Sequence, residues 1–214
     1  LSNLAEIVSE IIKELDEKDA VRERLIQVSR AIVRASSSAV VALHAGDVEK
    51  ADRLLSEASD LLKSIATDLE RYPEYQYTGP MPQAYQEFSE ANILRAIIMQ
   101  QKMPTPRELS VPSPFYLSGL ADAIGEVRRF CLDLLRRGNV RKAVELLKLM
   151  ENAYLVLRPL DEPSSLIPGL KRRRDVLRRL VEETRRDITL SLINERLRKS
   201  IDRLLREIER NGKD

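Results

Sequence analysis

Histidine and cysteine occur once each in this chain, and tryptophan not at all. With Cys131 alone, no intrachain disulfide can form. With His44 the one imidazole, the sequence offers no zinc site built from His and Cys. A ferritin-like di-iron bundle needs Glu-x-x-His on two helices, and none is present. Gly-rich phosphate loops, a Ser/His/Asp set and Cys-x-x-Cys are missing as well. No apolar run approaches the ~18 residues that a membrane span needs. The N-terminus has no charged region followed by an apolar core and a cleavage site. A soluble, cytoplasmic protein with no membrane partner is the expectation. No segment alternates with period two for the length of a strand, and no 20–50-residue repeat is visible.

What is present favours helices. Apolar residues make up 43% of the 214 and charged residues 33%, with Ala, Leu, Ile, Arg, Glu and Lys dominating. That length suits one large helical domain or two small ones. Apolar spacing predicts helices over 4–14, 18–45, 47–72, 83–101, 113–137 and 140–157, then 170–192 and 194–210 as one helix or two. Gly46-Asp47 and Gly138-Asn139 each read as a stop followed by a cap. Ser113-Pro114 starts a helix, and Thr105-Pro106-Arg107-Glu108 has the form of a capping box opening a short one. Loops are expected at 72–82 and 158–169, where Pro and Gly cluster. The class is all-α, with about six or seven helices.

Charge is uneven along the chain. Residues 171–214 hold fifteen Lys and Arg against nine Asp and Glu, so the rest of the chain is net acidic. A basic C-terminal region is compatible with a nucleic-acid partner, and equally with solvated mixed-charge helices. Arg24, Arg30 and Arg34, with Ser29, Ser36, Ser37 and Ser38, give the 18–45 helix a polar face. That face either tracks a phosphate backbone or is wet surface. His44, near the end of that helix, reads as a cap favoured by the helix dipole, or alternatively as an acid/base or phosphate contact. Cys131 lies on an apolar face and reads as a buried, inert thiol.

Two acidic pairs carry the most information. Glu87 and Glu90 are three apart, and Asp122 and Glu126 four apart, each pair on one face of a predicted helix. Like charges at such spacings cost a helix roughly 0.2–0.5 kcal/mol per pair. Both helices are apolar on most sides and therefore buried. A buried carboxylate is protonated, paired or coordinated to a metal. All-oxygen ligands suit Mg²⁺ or Mn²⁺, and four such groups converging on an ion would serve phosphodiester chemistry. The plainer reading of Glu-x-x-Glu is an exposed face. Gly119 and Gly125 interrupt the second helix, each at a cost of about 1 kcal/mol relative to Ala. Gly125, beside Glu126, is expected to let the first acidic helix come close, or else simply to tighten packing.

The run from Tyr116 to Cys131, followed by Arg-Arg-Gly-Asn, resembles the signature helix of the translin family. Within that family, Asp122 with Glu126, and Gln86 through Ala91 upstream, are most similar to the branch of translin-associated factor X, the catalytic subunit type. Glu14-Leu-Asp, Glu23-Arg-Leu, Val28-Ser-Arg30 and Leu43-His44 agree in order. The resemblance spans nearly the whole chain. It implies a single translin-like domain over residues 1–214, a bundle of about seven helices that assembles into a roughly octameric shell. It implies an endoribonuclease cleaving single-stranded RNA or short duplexes, with Glu87, Glu90, Asp122 and Glu126 binding Mg²⁺ and activating water. Arg24, Arg30 and Arg129 match the branch best as RNA contacts. The branch normally needs a translin partner. The short N-terminal segment and the short loop after Met103 point instead to a catalytic homo-oligomer. The alternative is a non-catalytic shell that holds single-stranded RNA or DNA.

Overall fold

The computed structural model describes residues 3–160, 167 and 169–211. Among the described residues there are seven α-helices and no strand. They are α1 (Leu4–Ala45), α2 (Val48–Ser64), α3 (Ala66–Arg71), α4 (Met81–Ile98), α5 (Ser113–Arg136), α6 (Val140–Leu157) and α7 (Leu170–Asn211). A 3₁₀ turn at Pro73–Gln76 lies in the expected loop. Most of the second expected loop falls outside the described residues. The chain divides into two compact units, Leu1–Ala123 with Ser165–Pro168, and Ile124–Ser164 with Gly169–Asp214. None of the described helices is long and apolar enough to cross a membrane.

In the first unit α1 packs on α2 and α4. Its contribution is a stripe at helical spacing, Val21, Leu25, Ile32, Ala35, Ala39 and Leu43, all buried. Ala58 and Leu62 of α2 and Met81, Ala84, Tyr85 and Phe88 of α4 meet it in one core. Fully burying a Leu or Ile stabilises by ~1.5–3 kcal/mol, so this core dominates the unit's stability. Arg95 of α4 clamps Asp52 of α2 through two hydrogen bonds of 2.5 and 2.9 Å. The guanidinium holds the Asp52 carboxyl below its ordinary range.

Helix boundaries follow local signals except where packing overrides them. Gly46 takes a left-handed φ of 81° and Asp47 accepts from the Lys50 amide at 3.0 Å, ending α1 and opening α2. Three expectations are corrected. The segments 4–14 and 18–45 are one helix, because nothing between them breaks it and Lys18 pairs with Glu14 across the join at 3.3 Å. The helix expected over 47–72 breaks at Ile65, whose backbone leaves helical geometry while its side chain is wholly buried. That turn lets Leu62, Ile65 and Leu69 share one core. The capping box at Thr105 forms, with the Thr105 amide and hydroxyl both donating to Glu108, but no helix follows. Ser110 adopts a φ of 54° and closes the segment after one turn.

The second unit pairs α6 with α7, and α5 from Ile124 onward belongs to it. Asn139 caps α6 by accepting from the Lys142 amide. Arg128 reaches α7, donating to Thr184 Oγ1 at 2.8 Å and Asp187 at 3.0 Å. Cys131 is fully buried, and burial pushes its thiol up to about 11. At pH 8 the native protein should therefore resist iodoacetamide, with Cys131 alkylated readily once urea unfolds the chain. Mass spectrometry of the two samples checks this, and equal labelling would contradict the burial.

Candidate functional site

Helix α4 is apolar on most sides, and its half-buried polar residues include a strip of Gln86, Glu87 and Glu90, apart from Arg95, which is bound to Asp52 of α2. On one side of that strip lies α1, where Ser37 donates to Glu87 Oε2 at 3.3 Å. On another lies α5. Gln86 Nε2 donates to Asp122 Oδ2 at 2.7 Å. The first unit thus gathers parts of α1, α4 and the start of α5 around three half-buried acids: Glu87, Glu90 and Asp122. Glu126, also half-buried, follows Asp122 by one turn along α5 and belongs to the second unit.

The donor chemistry suits a hard divalent cation: carboxylates, a hydroxyl and an amide. Ser89, wholly buried next to Glu90, and Ser36, wholly buried next to Ser37, have hydroxyls with no hydrogen-bond partner among the described residues. Buried polar groups are usually satisfied, so unmet side-chain hydroxyls on α1 and α4 are where an added hydrogen-bond partner is expected. Among the described residues no three His, Cys, Asp or Glu side chains close on one point as a cation cage. The arrangement is a set of oxygen donors, with Asp122 and Glu87 held by Gln86 and Ser37.

The expected basic contacts part ways. Arg24 is bound to Asp68 at 3.0 Å and holds α1 to α3. Arg30 on α1 is exposed, as is Arg129 on α5, three residues beyond Glu126. The polar face expected on α1 is smaller than its sequence suggests. Ser29 and Ser36 are buried, and Ser29 donates to the Ile26 carbonyl at 3.0 Å. His44 is half-buried in the last turn of α1.

A model of the Translin family matches residues 20–186. A protein of Methanocaldococcus jannaschii described as uncharacterized is 32% identical over 196 residues, which cover 91% of this chain and 86% of that one. The solved structure of AfC3PO with duplex RNA superposes with a TM-score of 0.81 at 32% identity, over 87% of this chain and 97% of that chain. Apo-NeC3PO superposes with a TM-score of 0.72 at 26% identity, over 89% and 98%.

The two glycines of α5 exchange their expected roles. A Cβ on Gly119 would lie 2.5 Å from the Gln86 carbonyl and 2.9 Å from the Glu90 amide, so Gly119 is where α5 meets α4. Gly125 faces Leu180 of α7, 3.7 Å from where its Cβ would be. Both glycines stand mid-helix, so sequence spacing does not say which one meets α4. Gly119→Ala should destabilise the protein by ~1–3 kcal/mol through overpacking against backbone. Gly125→Ala meets ordinary contact and should stabilise by up to ~1 kcal/mol. Urea midpoints of the two variants test the pair, and the reverse order would refute the assignment.

Proposed function

Because the chain belongs to the translin family, we propose that it is a metal-dependent endoribonuclease of the factor X type. It acts as one domain within a homo-oligomeric shell, expected to be octameric, and cleaves single-stranded RNA or short RNA duplexes. The observation that carries this reading is the backbone-close approach of α5 to α4 at Gly119, which sets Asp122 against the Glu87–Glu90 strip. A helix pair that brings acids together at the expense of a glycine in mid-helix is costly unless the acids are used. The similarity to AfC3PO, solved with duplex RNA, supports RNA as the partner.

Glu87, Glu90 and Asp122, with Glu126 as the fourth acid of the family motif, are the residues that would hold Mg²⁺, or Mn²⁺ in its place. When bound, the ion supplies neutralisation of phosphate charge and acidification of water. The chain's own residues prepare for this. Gln86 fixes one oxygen of Asp122, and Ser37 fixes one oxygen of Glu87. The apolar residues packed beside the strip, Phe88 and Ala91 among them, limit its contact with bulk water, which strengthens charge interactions there. Glu90 has its backbone against Gly119 and is the acid most tightly tied to the α4–α5 contact.

Assembly is supported by apolar surface that each unit leaves bare. In α1, Leu4, Val8, Ile11 and Leu15 are about half exposed and follow a heptad-like spacing. In α7, Leu190, Leu197 and Leu204 recur every seven residues, with Ile201 and Ile208 in the same frame, all exposed. Such stripes are the seams of helix–helix association between copies.

A second reading, a shell that binds RNA or single-stranded DNA without cutting it, draws on the acids' not closing into a cage among the described residues. The two readings divide at Glu90. A labelled RNA incubated with Mg²⁺, Mn²⁺ or EDTA should be cut by wild type only with metal, and Glu90→Gln should lose at least about a hundredfold in rate while still binding. Equal binding with no cutting by either protein, under any metal, would leave the binding shell. For assembly, Leu197→Lys with Leu204→Lys should lower the particle mass measured by light scattering. An unchanged mass would remove the α7 stripe from the interface.

A further inference from the structure

On the α1 stripe that leads to the acidic strip lie two arginines with no ion pair among the described residues. Arg30, Arg34 and Ser37 are spaced four and three apart, so they lie on one stripe of the helix. Ser37 is the residue that touches Glu87. Arg34 is therefore about 4.5 Å, and Arg30 about 10.5 Å, along the helix axis from the acidic strip. Both are exposed, and among the described residues neither has an ion pair. Their neighbours earlier on α1 behave differently. Lys18 pairs with Glu14 and Glu74, Arg22 with Asp19 and Glu23, and Arg24 with Asp68. Arg30 and Arg34 are left open on the α1 stripe that leads to Ser37 and Glu87. An anion from outside the chain fits that opening.

We propose that Arg30 and Arg34 form a phosphate-binding track that delivers a single RNA strand, backbone first, to the Glu87–Glu90–Asp122 strip. The proposal rests on RNA being the partner and extends it by naming the entry path. Three acids repel a polyanion, so a strand reaches them only where cations flank the approach. Arginine suits this role because its planar fork donates two parallel hydrogen bonds to one phosphate. The two guanidinium groups start about 6 Å apart along α1, a step comparable with that between successive phosphates of one strand. Arg34, closer to Ser37, is the residue that would meet the phosphate next to the acids. Arg24, spent on Asp68, lies outside the track.

The test measures binding apart from cutting. Fluorescence anisotropy of a labelled single-stranded RNA is followed in EDTA over a range of salt, with the full-length protein. Each phosphate contact contributes about 0.7 to the slope of log affinity against log salt on a single strand. Arg34→Gln should lower the magnitude of the slope by about 0.7, and Arg30→Gln with Arg34→Gln by about 1.4. Arg34→Lys keeps the charge and should retain the slope. Arg53→Gln removes the same charge from an exposed site on α2 and should leave the slope unchanged. A double variant with the wild-type slope would overturn the track, and so would an equal drop in Arg53→Gln, which would show only the effect of net charge. If wild type binds and the slope falls as expected but no RNA is cut with Mg²⁺, the track stands and the nuclease reading fails. If wild type binds no RNA at low salt, both fall together.

Discussion

The contact between Gly119 and the backbone of α4 sets how near two acid-bearing helices come. A side chain of any size at that position would push α5 away, and the Gln86–Asp122 hydrogen bond would be lost with the separation. The contact depends in turn on α4 being buried on its other sides, so that α1 and α2 hold it while α5 approaches. The polar strip is what remains after those apolar faces are satisfied. Its acids are half-buried because helix packing leaves a seam there.

The elements read most directly from sequence are those with local causes. Gly46-Asp47, Ser113-Pro114 and Gly138-Asn139 act through backbone conformation and capping within a few residues, and the helices begin and end there. Ile65 is different. Its break serves the burial of Leu62 and Leu69 in a core assembled from distant helices, and helix propensity carries no trace of that. The Thr105 capping box shows the opposite failure, a correct local signal without the apolar turns needed to propagate a helix.

Spacing alone makes each acidic pair neighbours on one helix face, since i,i+3 and i,i+4 are neighbours on any helix. Spacing does not say which helix each face meets, and so does not tell that Gly119, and not Gly125, lies against α4. Ser37 stood among four serines of one expected polar face. Only the packing of α1 on α4 separates it from Ser29 and Ser36, which turn inward. The arginines of that face separate in the same way. Their sequence context is similar, but Asp68, forty-four residues later, takes Arg24 out of the group.

The end of α7 has a thermodynamic consequence. From Leu190 to Ile208 its large apolar side chains, half-buried Leu192 apart, are exposed, and ion pairs such as Lys199 to Glu195 supply only a few tenths of a kcal/mol each. A helix of that length without a packed face is marginal in water. For this stretch, becoming ordered and finding a partner are then a single equilibrium. Its helicity, its protection from proteases and the unfolding temperature of the protein all become functions of protein concentration.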